Sequence, residues 1–96
     1  MIKIKAREDK KYLYLTATGH ADFNPGNDIV CAAVSALLCT LAEVADGAVL
    51  ASGEADIMLF KTKESEAVFR AIVSGLKKIA EVYGAHVRVE VGDRQA

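Results

Sequence analysis

The sequence predicts an α+β fold of two layers, a mainly antiparallel five-stranded sheet with two helices in the order β-β-α-β-β-α-β. Five short stretches carry the period-two alternation of half-buried strands, and two longer ones carry apolar residues at helical spacing. Two of the strand pairs are joined by nothing longer than a turn, so hairpins rather than crossovers dominate the sheet. With 96 residues, 52% of them hydrophobic, and no linker, repeat or low-complexity segment, residues 1–96 form one domain with a modest core.

In the first strand Ile2, Ile4 and Ala6 alternate with Lys3, Lys5 and Arg7. The charged run at residues 7–11 then turns the chain as a solvated hairpin tip. Residues 12–18 alternate again and stop at Gly19. Residues 21–27 hold Phe23, Pro25 and Gly26 and are too polar and turn-rich for an element. Such a segment is either a lid over a bound peptide or an inert connector. Gly26 and Asn27 turn the chain, Asp28 is a good N-cap, and Val30, Val34, Leu37, Leu38, Leu41 and Val44 mark the first helix. It ends at Asp46-Gly47. A strand over 48–51, a turn at Ser52-Gly53-Glu54 and a returning strand over 56–61 make the second hairpin. The second helix covers 65–83 with a stripe of Phe69, Ile72, Leu76, Ile79 and Tyr83, and Gly84 stops it. The last strand covers 85–91, where His86 shares the polar face with Arg88 and Glu90 and reads as a plain surface histidine.

The first helix is apolar almost all round, since Ala32, Ala33, Ala36 and Cys39 occupy its expected wet side. Small residues there favour packing on a second copy in a homodimer; the alternative is a helix sandwiched inside its own domain. A net charge of −1 and a pI near 6.1 give no basis for a phosphate-tracking surface, so no direct nucleic-acid partner is expected. Two cysteines with no secretion-type leader point to a reducing cytoplasm, and no apolar run reaches membrane-spanning length. Cys31 and Cys39 are separated by about 12 Å of helical rise. With His20 and His86 they form none of the short paired spacings of zinc sites, so neither metal nor cofactor is expected.

The chemistry concentrates between Gly19 and Ser35. His20 sits at a strand tip and Cys31 in the first turn of a helix, where unpaired amides favour thiolate over thiol. That places a nucleophile and a base within one short stretch. The same spacing also fits a small, buried, inert thiol. Asp28 either orients the imidazole or serves as the cap. Ser35, one turn after Cys31, either shapes the site or packs the helix.

Gly19-His20-Ala21 together with Asp28-Ile29-Val30-Cys31-Ala32-Ala33-Val34-Ser35 resembles the signature of the ribosomal-processing cysteine proteases, a family of small bacterial proteins. The resemblance extends along the whole chain in element order and length. It implies that His20 and Cys31 form a catalytic dyad, with Gly19, Asp28 and Ser35 binding substrate or supporting the site. It further implies a cytoplasmic homodimer acting on a ribosomal protein, number twenty-seven of the bacterial large subunit, whose N-terminal extension is the peptide removed. The expected chemistry is attack by Cys31, with His20 as base and then acid, and an oxyanion held by helix-start amides including that of Cys31. A non-catalytic dimeric module gripping a ribosomal protein tail is the alternative, and a thiol-dependent redox or transferase role is a third.

Overall fold

The chain is described by a computed structural model over residues 1–93. Its elements are β1 (Ile2–Glu8), β2 (Tyr12–Thr18), α1 (Ile29–Glu43), β3 (Gly47–Ala51), β4 (Glu54–Phe60), α2 (Lys63–Val82) and β5 (Val87–Asp93). They follow the expected order. The five strands form one sheet in the order β3-β4-β2-β1-β5. Every neighbouring pair is antiparallel except β1 and β5, which run parallel. The fold is therefore a mixed, mostly antiparallel sheet, in which the long connection from β1 to β5 makes a parallel partner possible.

Alternation decides which face is covered. Ile2, Ile4 and Ala6 of β1, Leu13, Leu15 and Ala17 of β2, and Ala55, Ile57 and Leu59 of β4 are all buried. The register aligns them across strands, with Ile4 beside Ala17 and Leu15 beside Ile57. Val30, Val34, Leu38 and Leu41 of α1 and Phe69, Ile72, Val73 and Leu76 of α2 close the same core. The two helices also touch each other. Gly75 faces Leu37, and a Cβ at Gly75 would stand 3.0 Å from a Leu37 methyl. A glycine in mid-helix costs about 1 kcal/mol of helix propensity, offset here by close helix packing.

Several boundaries differ from the sequence reading for local reasons. The second helix begins two residues earlier because Thr62 caps it in a capping box with Ser65. The fourth strand spans Glu54–Phe60 rather than 56–61, because only Ser52 and Gly53 turn and Ala51 pairs directly with Glu54. Lys61 then leaves the strand to bond Glu8 at 2.9 Å and Glu66 at 3.7 Å. The hydrogen bond it donates to Glu8 is the main reason the Lys61 ammonium is held above the usual lysine range. The last strand starts at Val87, since His86 and Val87 both donate back to the Tyr83 carbonyl. Ala32, Ala33, Ala36 and Cys39 are exposed on α1, so this helix is not sandwiched within its own chain. Among the described residues no helix is long and apolar enough to cross a membrane.

Candidate active site

The end of β2 is tied to the β3–β4 turn, because the Gly19 N–H donates to the Gly53 carbonyl at 2.9 Å. Gly19 has φ +94°, and a Cβ there would collide with the Met1 carbonyl. Only glycine fits. The next residue, His20, is exposed and lays its ring over the turn: a Cβ at Gly53 would stand 2.8 Å from His20 Nε2. Gly53, at φ +73°, therefore makes room for the imidazole.

Asp28 is the N-cap of α1. Its Oδ1 accepts the N–H groups of Val30 and Cys31, both at 3.0 Å. Its Oδ2 accepts those of Phe23 at 2.9 Å and Asn24 at 3.2 Å. One carboxylate thus fixes the helix start and the loop before it. The hydrogen bond from the Cys31 amide leads the causes that hold this carboxyl below the usual carboxylate range. The cap outweighs a role for Asp28 in orienting the imidazole, and its four donors occupy the carboxylate. The Cys31 N–H, an amide expected at the oxyanion, donates to the Asp28 side chain, and the Ala32 N–H donates to the Asp28 carbonyl at 3.0 Å.

Cys31 occupies the third helical position, half-buried, and its Sγ accepts the N–H of Ala21 at 3.3 Å. Ala21 is held from its other side, where His86 Nδ1 lies 2.8 Å from its carbonyl oxygen. The Phe23 ring meets Tyr83 and His86 edge to face, with centroids 5.3 Å away in each case. His86 is therefore half-buried against the loop, not a plain surface histidine. The backbone donors of Ala21, Phe23 and Asn24 anchor the first half of the 21–27 loop. Gly26, at φ +90° with open space where a Cβ would point, is the part without such constraint.

Gly19, His20, Cys31 and Ser35 line one cleft of about 310 Å³, with Ala17, Val34, Leu38 and Leu50 as apolar wall and Glu54 at its side. Asp28 acts from behind it. Among the described residues His20 and Cys31 are not joined by a hydrogen bond; His20 is exposed and Cys31 half-buried. Cys39 lines the same cleft as a free, exposed thiol one turn beyond Ser35. A second groove of about 350 Å³ between α2 and the β1–β5 edge holds arginine, lysine and glutamate but neither histidine nor cysteine. No three His, Cys, Asp or Glu side chains cluster as metal ligands among the described residues.

Gly53 and His86 were invisible as site residues in the sequence. A Ser-Gly pair between two strands signals a turn and not its neighbour, and nothing near His86 in the chain points to Ala21.

Known proteins share this fold. Prp from S. aureus, solved with a covalently linked product peptide, is similar at a TM-score of 0.83 and 22% identity, covering 96% of this chain and 100% of that one. SMU.848 from Streptococcus mutans is similar at 0.75 and 26%, covering 98% and 96%. S. aureus Prp with a substrate peptide is similar at 0.73 and 20%, again over 96% and 100%. No curated protein matches. The family described as cysteine protease Prp matches residues 1–88, almost the whole of the described chain. A non-catalytic binding module is thereby set aside, and the chain belongs to the Prp family of cysteine proteases and is a peptidase.

Proposed function

We propose that this peptidase cuts the N-terminal extension from a large-subunit ribosomal protein, number twenty-seven of the bacterial series, through a dyad of Cys31 and His20. One observation carries the reading: a histidine and a cysteine line the same cleft, and the sulfur lies in the first turn of a helix with an N–H donated to it. His20 takes the Cys31 thiol proton, which gives the nucleophilic thiolate and an imidazolium. The thiolate attacks the scissile carbonyl carbon and forms an S–C bond while the π pair moves to oxygen. As that pair returns, the C–N bond breaks and the leaving amine takes the proton of the His20 imidazolium. Water, deprotonated by His20, then cleaves the thioester, releasing the acid product and the free thiolate.

The peptide bound covalently to S. aureus Prp supports a covalent route in the family. Its description as a ribosomal processing protease supports the substrate class. The apolar wall of Val34, Leu38 and Leu50 suits apolar side chains beside the scissile bond. Gly19 and Ser35 shape the cleft, and Asp28 supports it from behind. The bare face of Ala32, Ala33 and Ala36 on α1 supports a homodimer, since small side chains let a second backbone approach.

The test is cleavage of the extended ribosomal protein followed by mass spectrometry. Cys31→Ser should lose turnover by about 10³-fold or more while keeping Tm and peptide binding, because a hydroxyl beside one histidine is a poor nucleophile. His20→Ala should also lose turnover, yet still be alkylated at Cys31 at a reduced rate. Cleavage persisting in either variant would refute the dyad.

A further inference from the structure

His86 lies outside the cleft, yet a single residue links its ring to the nucleophile. Its Nδ1 is 2.8 Å from the Ala21 carbonyl oxygen, and the N–H of the same Ala21 donates to Cys31 Sγ at 3.3 Å. A carbonyl oxygen only accepts, so Nδ1 carries the proton and the tautomer is set. Ala21 is 1% exposed, which leaves water no access to compete for either backbone group. The ring is held in turn by edge-to-face contact with Phe23, and its own backbone by bonds to Tyr83 and Ile2.

We propose that His86 is a positioning residue that holds the Ala21 N–H on the reacting sulfur, and that this amide carries the charge of the reaction. It stabilises the thiolate before attack and the substrate oxygen once the π pair has moved there. The proposal rests on the cysteine peptidase reading and supplies the donor which that reading lacks. The amides of Val30 and Cys31 are taken by the Asp28 side chain, and that of Ala32 by the Asp28 carbonyl. The Ala21 amide, by contrast, already touches Sγ. The carbon that Sγ attacks is one bond away and the developing oxyanion one bond further, so a small displacement brings the donor onto that oxygen.

The experiment compares wild type, His86→Ala and His86→Asn. Two quantities are read: kcat and KM on the extended peptide, and the pH dependence of iodoacetamide alkylation at Cys31, located by fragmentation mass spectrometry. In His86→Ala, kcat should fall about tenfold with KM little changed, the pattern of a lost transition-state contact. The pH of half-maximal alkylation should rise by about one unit, a tenfold loss of thiolate preference. In His86→Asn, the amide donates from a position close to Nδ1 and should restore most of both effects. A folded His86→Ala with the wild-type alkylation profile and kcat would overturn the proposal. If that variant fails to fold, semisynthesis with lactic acid in place of Ala21 exchanges the N–H for an ester oxygen and keeps the carbonyl facing His86. An unchanged alkylation profile there would overturn it equally. Alkylation needs no substrate, so a normal shift without cleavage counts against the proposed substrate and not against His86.

Discussion

A methyl group added at Gly53 would press on His20 Nε2 from 2.8 Å, and the backbone beneath it is at φ +73°. The imidazole is the softer partner, so it moves while the turn stays. Gly53→Ala should therefore lower kcat by roughly tenfold or more through misplacement of the base. Left-handed backbone strain of about 1–2 kcal/mol accompanies it. Tm should fall by roughly 5 °C or more, yet the protein stays folded and Cys31 is still alkylated. Full activity in a folded Gly53→Ala would show that the ring needs no such space. His20, Cys31 and Asp28 were legible because each is defined by its neighbours in the chain: a strand end, a helix start, a cap. Gly53 and His86 were not, since each matters only through a contact made across the sheet. The bond from His86 to Ala21 spans 65 residues of sequence.

One carboxylate ties the start of α1 to the loop before it. Asp28 holds two helix amides and two loop amides, and its affinity for protons is lowered by them. The sign follows from linkage. With the folded value below the unfolded one of about 3.9, the stabilisation is fully present above that pH and is lost as pH falls through the folded value. Acidification should release residues 21–28 and slow Cys31 alkylation beyond what the sulfur's own titration explains. In Asp28→Asn that extra pH dependence should vanish, Tm should fall, and amides of Phe23 and Asn24 should exchange faster with solvent. Unchanged exchange at those two amides would contradict the clamp. The helix start was read correctly from Asp28 because capping is local chemistry, whereas the start of α2 was placed late because the Thr62 and Ser65 pair was missed.

Across the whole molecule, both helices cover one sheet face and leave the outer side of α1 bare. Ala33→Glu or Ala36→Glu would place like charges opposite one another across a two-fold axis. Either change should weaken a homodimer by tenfold or more, read by sedimentation velocity, with Tm of the monomer little altered. A wild-type sedimentation profile in both variants would rule out this face as the interface. Antiparallel hairpins were legible because short turns join them. The parallel pairing of β1 with β5 was not, since nothing local announces a partner so far along the chain.

That pairing has a consequence for timing. β2 pairs with β1 through a short turn, and β4 and β3 add beyond β2, but the other edge of β1 stays unpaired until β5 arrives. The Ile2 N–H waits for the His86 carbonyl, and the same residue brings the ring that grips Ala21. Until β5 docks, Cys31 lacks the ring that grips Ala21 beside its sulfur. The site is therefore fully ordered only once β5 has docked along β1.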